Sequence, residues 1–254
     1  MKITILTQDE PFYLAENIDY LIKNLPEKSS IVSVILFDVS PFGKKESFVA
    51  KAKKTYSVFG FKFFVFYAFR YVLSQFNTNK KIPKVLKKYE IPEIRLEKSV
   101  NHEDSLDIIK SYEPDLLISI AGNQIFKSQL INLAPKGCLN LHTALLPKYR
   151  GLMPTFWVLK NNEKHTGVSV FFVDEGIDSG PILVQKKIEI GDMTQEELIK
   201  KTKTLGMKAI LEGIEKIISQ DYQLIKNPDS EQTYYKFPTK QDVKEFRAKG
   251  KRFF

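Results

Sequence analysis

The sequence predicts an α/β protein: a mostly parallel sheet with flanking helices, plus a short C-terminal extension. Three observations carry this. The chain opens as strand, helix, strand, which is how a parallel sheet begins. The same alternation returns from Glu93. Between them and the C-terminal half, Asp115–Ile120 is a continuous apolar run, the pattern of a strand covered on both faces. At 254 residues the chain suits one sizeable domain and a small appendage, drawn here as 1–220 and 221–254, the second packed on the first.

Ile3–Leu6 form the first strand, and the turn Gln8-Asp9-Glu10-Pro11 leads into a helix with Pro11 in its first turn. Leu14, Ile18, Leu21, Ile22 and Leu25 recur along it at helical spacing. Ile31–Phe37, dense in β-branched residues, is the second strand. Lys44 to Lys88 is different: seven Phe residues crowd between Phe59 and Phe76, with lysines on both sides. An aromatic stripe of this kind is expected to pack on the sheet as core, the alternative being a partner surface or a helix lying on a membrane. Lys62 and Arg70 interrupt it, so it is not read as a membrane span.

Ile94-Arg95-Leu96 reads as a strand, and Asn101 as the cap of a helix through Tyr112 that Pro114 stops. After Asp115–Ile120 comes Ala121-Gly122-Asn123, a loop at the carboxyl end of a central parallel strand, where such sheets commonly bind ligands. Cys138–His142 and Gly167–Val173 read as strands, separated by the turn-rich Leu146–Gly151. A strand over Pro181–Ile190 follows, then a helix opened by the capping box Thr194-Gln195-Glu196-Glu197 and ending near Gln220. The polar tail from Asn227, punctuated by aromatic residues, is expected to wrap back on the body.

Composition bounds the function. Hydrophobic residues at 43% and charged residues at 27% describe a chain able to bury a core. One cysteine, Cys138, excludes an intrachain disulfide and fits a reducing compartment, and the amino terminus shows no signal-peptide pattern, so the protein is expected to be cytoplasmic. The net charge of +9 admits a polyanion, an anionic membrane surface or a phosphorylated small substrate. His102 and His165 have no Cys or acidic partner at ligand spacing, so no metal is expected.

Asn140 and His142 stand two apart in a strand, so their side chains share one face while Leu139 and Leu141 take the other. An amide can donate to a developing oxyanion, and an imidazole beside it can donate a proton or stabilise charge. Asp178, in the glycine-flanked loop Asp174-Glu175-Gly176-Ile177-Asp178-Ser179-Gly180, can hydrogen-bond the imidazole and fix its tautomer. The set suits acyl transfer to an amine without a Ser or Cys nucleophile.

The run Asn140-Leu-His142-Thr-Ala-Leu-Leu-Pro147-Lys-Tyr-Arg150-Gly151, followed by Gly167 to Gly180, resembles the catalytic core of the folate-dependent formyltransferases, and most closely the sugar-nucleotide N-formyltransferases. The resemblance implies a Rossmann-like domain that takes the formyl group of N10-formyltetrahydrofolate to an amine, with Asn140, His142 and Asp178 in the catalytic positions. It places the pterin against Ile118, Ile120 and Gly122 on one side and Val173, Asp174, Gly176 and Ile177 on the other. It places the acceptor near Gln8, Asp9, Leu146, Tyr149 and Arg150. Thr7-Gln8-Asp9-Glu10 departs from the Gly- or Ser-rich loop of many members.

Members that formylate methionyl-tRNA carry a further carboxyl-terminal barrel, whereas only residues 221–254 follow the last long helix here. Glycinamide ribonucleotide enzymes usually open on a glycine-rich phosphate loop. The expected acceptor is therefore the amine of a nucleotide-linked amino-deoxysugar rather than a nucleic acid. Another amine, or a non-catalytic folate- or nucleotide-binding role, is the alternative. The Phe-rich region and the tail are candidate surfaces for a homodimer.

Overall fold

A computed structural model describes residues 1–39, 47–76 and 81–254. In chain order its elements are β1 (Lys2–Gln8), α1 (Leu14–Lys23), β2 (Ser30–Phe37), α2 (Phe48–Phe59), α3 (Phe61–Phe76), α4 (Ile82–Lys88), β3 (Glu93–Ile94), α5 (Glu103–Lys110) and β4 (Leu116–Ile120). They continue as α6 (Ser128–Ile131), β5 (Cys138–His142), β6 (Arg150–Gly151), α7 (Pro154–Lys160), β7 (His165–Phe172), β8 (Ile182–Glu189), α8 (Gln195–Ser219), β9 (Tyr234–Tyr235) and α9 (Lys240–Ala248).

Seven strands form one sheet in the order β3-β2-β1-β4-β5-β7-β8. β3, β2, β1, β4 and β5 run parallel, while β7 pairs antiparallel with both β5 and β8. The chain leaves β1 toward β2 on one side and returns to β4 on the other. The carboxyl ends of β1 and β4 therefore open a crevice at the point where the strand order reverses.

Alternation along the strands divides the core. Ile3, Ile5, Ile118, Leu139 and Leu141 pack with α1, α4 and α8, whereas Leu6, Leu117 and Cys138 pack with α5 and α6. Burial pushes the Cys138 thiol up to about 12. The α8 face is close-fitting: a Cβ at Gly206 would overlap the Leu141 side chain. A third core joins Phe59, Tyr149, Phe156, Trp157 and Leu198 to Val243, Phe246 and Phe253 of the C-terminal residues. Parallel pairing of β9 with β6, Arg150 to Tyr234 and Gly151 to Tyr235, adds a two-stranded sheet to that attachment.

Local expectations are corrected at three places. The first helix starts at Leu14, not at Pro11: the Glu10 carboxylate accepts from the backbone N–H of Phe12, Tyr13 and Leu14 and takes over the cap. α5 is capped by His102, whose Nδ1 accepts from Asp104 N, because the Asn101 side chain is engaged with Ile125 O and Lys127 N. The Phe-rich stretch is not core on the sheet. It forms the helix pair α2–α3, of which only Phe59 is buried. Lys44, Lys45 and Lys80 of its flanks lie outside the described residues.

Candidate functional site

A cleft of about 500 Å³ lies at the carboxyl ends of β1, β4 and β5. Asn140 and His142 face it from β5, as their spacing requires, and Asp178 reaches it from the loop between β7 and β8. His142 is 6% exposed. Its Nε2 donates to the Tyr149 carbonyl at 2.7 Å, and its Nδ1 stands 3.6 Å from Asp178 Oδ2. That separation is an ion-pair distance and not a hydrogen bond. The tautomer is thus fixed by Tyr149 O, which corrects the expectation that Asp178 fixes it. With the Nε2 proton committed, Nδ1 has a hydrogen to offer only when the ring is doubly protonated.

Asp178 is held by backbone. Its Oδ2 accepts from Gly151 N at 2.8 Å. Asn227 Nδ2 donates to the carbonyls of Asp178 and Gly180, both at 2.9 Å. Asp174 closes the same loop, its Oδ1 accepting from Ser179 Oγ at 2.5 Å and Gly176 N at 3.1 Å. Asp178 itself has φ 50°, in the left-handed region. Ala121, Tyr149 and Met153, also around the cleft, share that conformation.

Of the residues expected to face a folate, Ile120, Gly122, Val173, Asp174, Gly176 and Ile177 line the cleft. Ile118 does not: it lies mid-strand, fully buried in the α8-side core. Residues 121–125 and the loop positions 173, 174, 176 and 177 contribute to the lining, and Phe126, Phe171 and Ile177 supply apolar surface.

The acceptor set divides. Gln8 lines the cleft. Asp9 lines a neighbouring cavity of about 960 Å³ and pairs with Arg95 at 2.8 Å. Leu146 is buried with Phe171 and Ile182. Tyr149 contributes its carbonyl to His142, while its hydroxyl donates to Glu163 Oε1 at 2.6 Å, away from the cleft. The Arg150 guanidinium, in a residue 2% exposed, is taken up by Asp229 Oδ1, Gln232 Oε1 and both oxygens of Asn227 at 2.7–3.1 Å. It straps the C-terminal residues to the loop and does not face the cleft.

Three contributors had no signal strong enough to be singled out from sequence. Gly151 and Asn227 act through backbone groups or at a distance of 49 residues. Lys203, from α8, lines the cleft without a hydrogen bond or ion pair among the described residues. Desolvation holds its ammonium below the ordinary lysine range, and the charge of Glu10 opposes the shift. The helical period puts it beside the buried α8 positions Thr202, Gly206 and Met207, but that signal does not separate it from the other lysines of the helix. Among the described residues no His, Cys, Asp and Glu cluster suits a metal ion.

A family model described as formyl transferase matches residues 1–214. The methionyl-tRNA formyltransferase of Kosmotoga olearia is 40% identical over 163 residues, covering 64% of this chain and 52% of that protein. The Thermotoga maritima enzyme of the same name is 33% identical, again over 64% and 52%. The chain thus spans about half the length of these relatives. Among solved structures, a sugar N-formyltransferase from a Shewanella species superposes with TM-score 0.60 at 19% identity, covering 97% of this chain and 86% of that one. An N-formyltransferase from Helicobacter canadensis, in complex with folinic acid and dTDP-3-aminofucose, gives TM-score 0.57 at 19% identity over 92% and 70%. These structural likenesses establish the shared fold.

Proposed function

The chain belongs to the formyl transferase family, and from that premise we propose that it transfers a formyl group from N10-formyltetrahydrofolate to the amine of a nucleotide-linked amino-deoxysugar. The observation that carries the reaction is the convergence of Asn140, His142 and Asp178 in one cleft, with Nδ1 of the imidazole 3.6 Å from the carboxylate. Residues 1–220 are the catalytic domain in this proposal, and 221–254 the extension that braces it.

When bound, the folate supplies an activated formyl carbonyl. Residues 121–125 and the loop positions 173, 174, 176 and 177 would hold its ring, Gly122 and Gly176 letting backbone approach closely. Asn140 donates its amide N–H to the negative charge developing on the carbonyl oxygen, and His142, as imidazolium, donates from Nδ1. The Tyr149 carbonyl keeps the ring in that orientation. Asp178 balances the imidazolium, accepts the proton that the attacking amine loses, directly or through water, and would return it to the folate N10 released when the bond from N10 to the formyl carbon breaks.

A small anionic acceptor is compatible with the second cavity, which shares Val39 and Lys51 with the cleft and is lined by Lys51, Lys54 and Lys81 alongside Asp9, Glu10 and Asp38, the Asp9 and Asp38 carboxylates being paired with Arg95. Lysine ammonium groups in a cavity adjoining the reacting groups suit a diphosphate. Methionyl-tRNA is the second reading, favoured by the names of the relatives at 33–40% identity. Incubating the protein with N10-formyltetrahydrofolate and a panel of nucleotide-linked amino sugars, or with methionyl-tRNA, tests both by mass gain of one formyl group. A formylated nucleotide sugar is the expected product. Formylated methionyl-tRNA alone would replace the acceptor, and no product with any amine would remove the proposal.

A further inference from the structure

The net charge of the chain is concentrated in one region. From Val39 to Tyr89 there are twelve Lys and Arg against a single acidic residue, Glu46, a balance of +11. The whole chain, with 39 against 30, is +9, so everything else, with 27 against 29, is −2. The helix pair α2–α3 sits inside this region and has four lysines, one arginine and no acidic residue between Phe48 and Phe76.

α3 has two unlike sides. Its inner side is satisfied: Phe63 stacks on Phe59 at 4.5 Å and meets Phe253 at 5.0 Å, and Arg70 pairs with Glu196 at 3.1 Å. Turning the helix by about 100° per residue puts Phe61, Val65, Phe69, Val72 and Phe76 within one arc of about 80° on the opposite side. Phe61, Phe69 and Phe76 are 68%, 61% and 80% exposed there. Lys62 borders the stripe, and Tyr56 and Lys53 are exposed on the neighbouring helix α2. A continuous apolar stripe about 24 Å long with a basic margin is far more than scattered surface hydrophobics.

We propose that α2 and α3 form a docking surface for an anionic lipid bilayer, with the α3 stripe seated among the headgroups and Lys53 and Lys62 meeting lipid phosphates. No helix among the described residues is long and apolar enough to cross a membrane, so α3 would lie in the plane of the interface. Charge selects this occupant. A symmetric contact with a second copy would set two acid-free basic surfaces face to face, which is repulsive. A nucleic acid would meet the lysines but leave the Phe and Val stripe in water.

The test is sedimentation of the full chain with vesicles of phosphatidylcholine alone and of phosphatidylcholine and phosphatidylglycerol in equal parts. Binding is expected only with the anionic vesicles and should weaken with salt. Phe69→Ser with Phe76→Ser should abolish it. Lys53→Gln with Lys62→Gln should weaken it about 25-fold, at about fivefold per lysine. All four side chains are exposed and outside the cleft, so melting temperature and formyl transfer to a soluble acceptor should be unchanged. Failure to sediment with anionic vesicles at low salt would overturn the proposal, as would unchanged binding by both pairs of substitutions. If the substitutions instead abolish self-association or binding to RNA and leave vesicle binding intact, a second copy or a nucleic acid is the occupant.

Discussion

Replacing Asn227 by Ala removes three hydrogen bonds at once: two from Nδ2 to the carbonyls of Asp178 and Gly180, and one from Arg150 Nη2 to Oδ1. The neutral pair are worth about 1 kcal/mol each and the charged one about 1.5–3 kcal/mol. Asn227 is only half-buried, so water recovers part of this, and a net loss of about 3 kcal/mol is expected. For a chain of this size that is a fall of roughly 6–12 °C in melting temperature. The Asp178 carboxylate keeps its bond from Gly151 N but loses the brace behind its backbone. A shift of order 1 Å in a catalytic group costs up to about 10²-fold, so kcat should fall between about 10- and 100-fold with little change in the KM for folate. Asn227→Asp separates the two arms. It still accepts from Arg150 but cannot donate to two carbonyls, so it should recover stability in part and activity not at all. Scanning calorimetry and steady-state formyl transfer measure both. A fully active Asn227→Asp protein would refute the argument that this residue positions the Asp178 loop.

Three further outcomes follow from the geometry. Asn140→Ala, His142→Gln and Asp178→Asn should each lower kcat by about 10²–10⁴-fold while leaving the melting temperature within a few degrees, measured with N10-formyltetrahydrofolate and the accepted amine. Gly180→Ala should destabilise by about 1–3 kcal/mol or more, read as lost soluble yield or a lower melting temperature, because the new Cβ meets the Phe172 carbonyl; Gly176→Ala should cost less, since its Cβ meets the Ser179 side chain, whose hydroxyl can swing away at the loss of its bond to Asp174. Lys203 has its pKa lowered in the folded state, so as pH falls through the ordinary lysine range near about 10.4 the unfolded chain takes up the proton first and stability is lost. Lys203→Met should therefore melt higher at neutral pH, flatten the alkaline stability profile and raise the KM of an anionic acceptor, by melting curves and kinetics.

The sheet was legible because its evidence is local. The Asp115–Ile120 run and the alternation of Leu139 and Leu141 with Asn140 and His142 state both burial and face. The α2–α3 pair was misjudged for the converse reason: aromatic density implies burial only where something covers it, and nothing in residues 59–76 says what does. Arg150 shows the same limit. A loop cation beside a catalytic run looks like an anion reader until Asp229, Gln232 and Asn227, some 80 positions later, claim its guanidinium.

The most consequential part of the site was the least visible, because it is made of main chain. His142 is oriented by a carbonyl and Asp178 by an N–H, both from residues 149–151. Tyr149 has φ 62° and Gly151 φ 94°, while Asp178 has φ 50°. Left-handed backbone at a non-glycine residue costs of order 1–3 kcal/mol, so it persists only where other contacts over-determine it. Here those contacts come from the C-terminal residues: Thr233 Oγ1 accepts from Tyr149 N, Tyr235 stacks on the Tyr149 ring, β9 pairs with β6, and Asn227 grips the Asp178 loop. The family match ends at residue 214, before any of them. The side chains proposed to be catalytic thus lie within the matched residues, while their alignment depends on a segment beyond them, and that segment is where a change could retune the site without touching Asn140, His142 or Asp178.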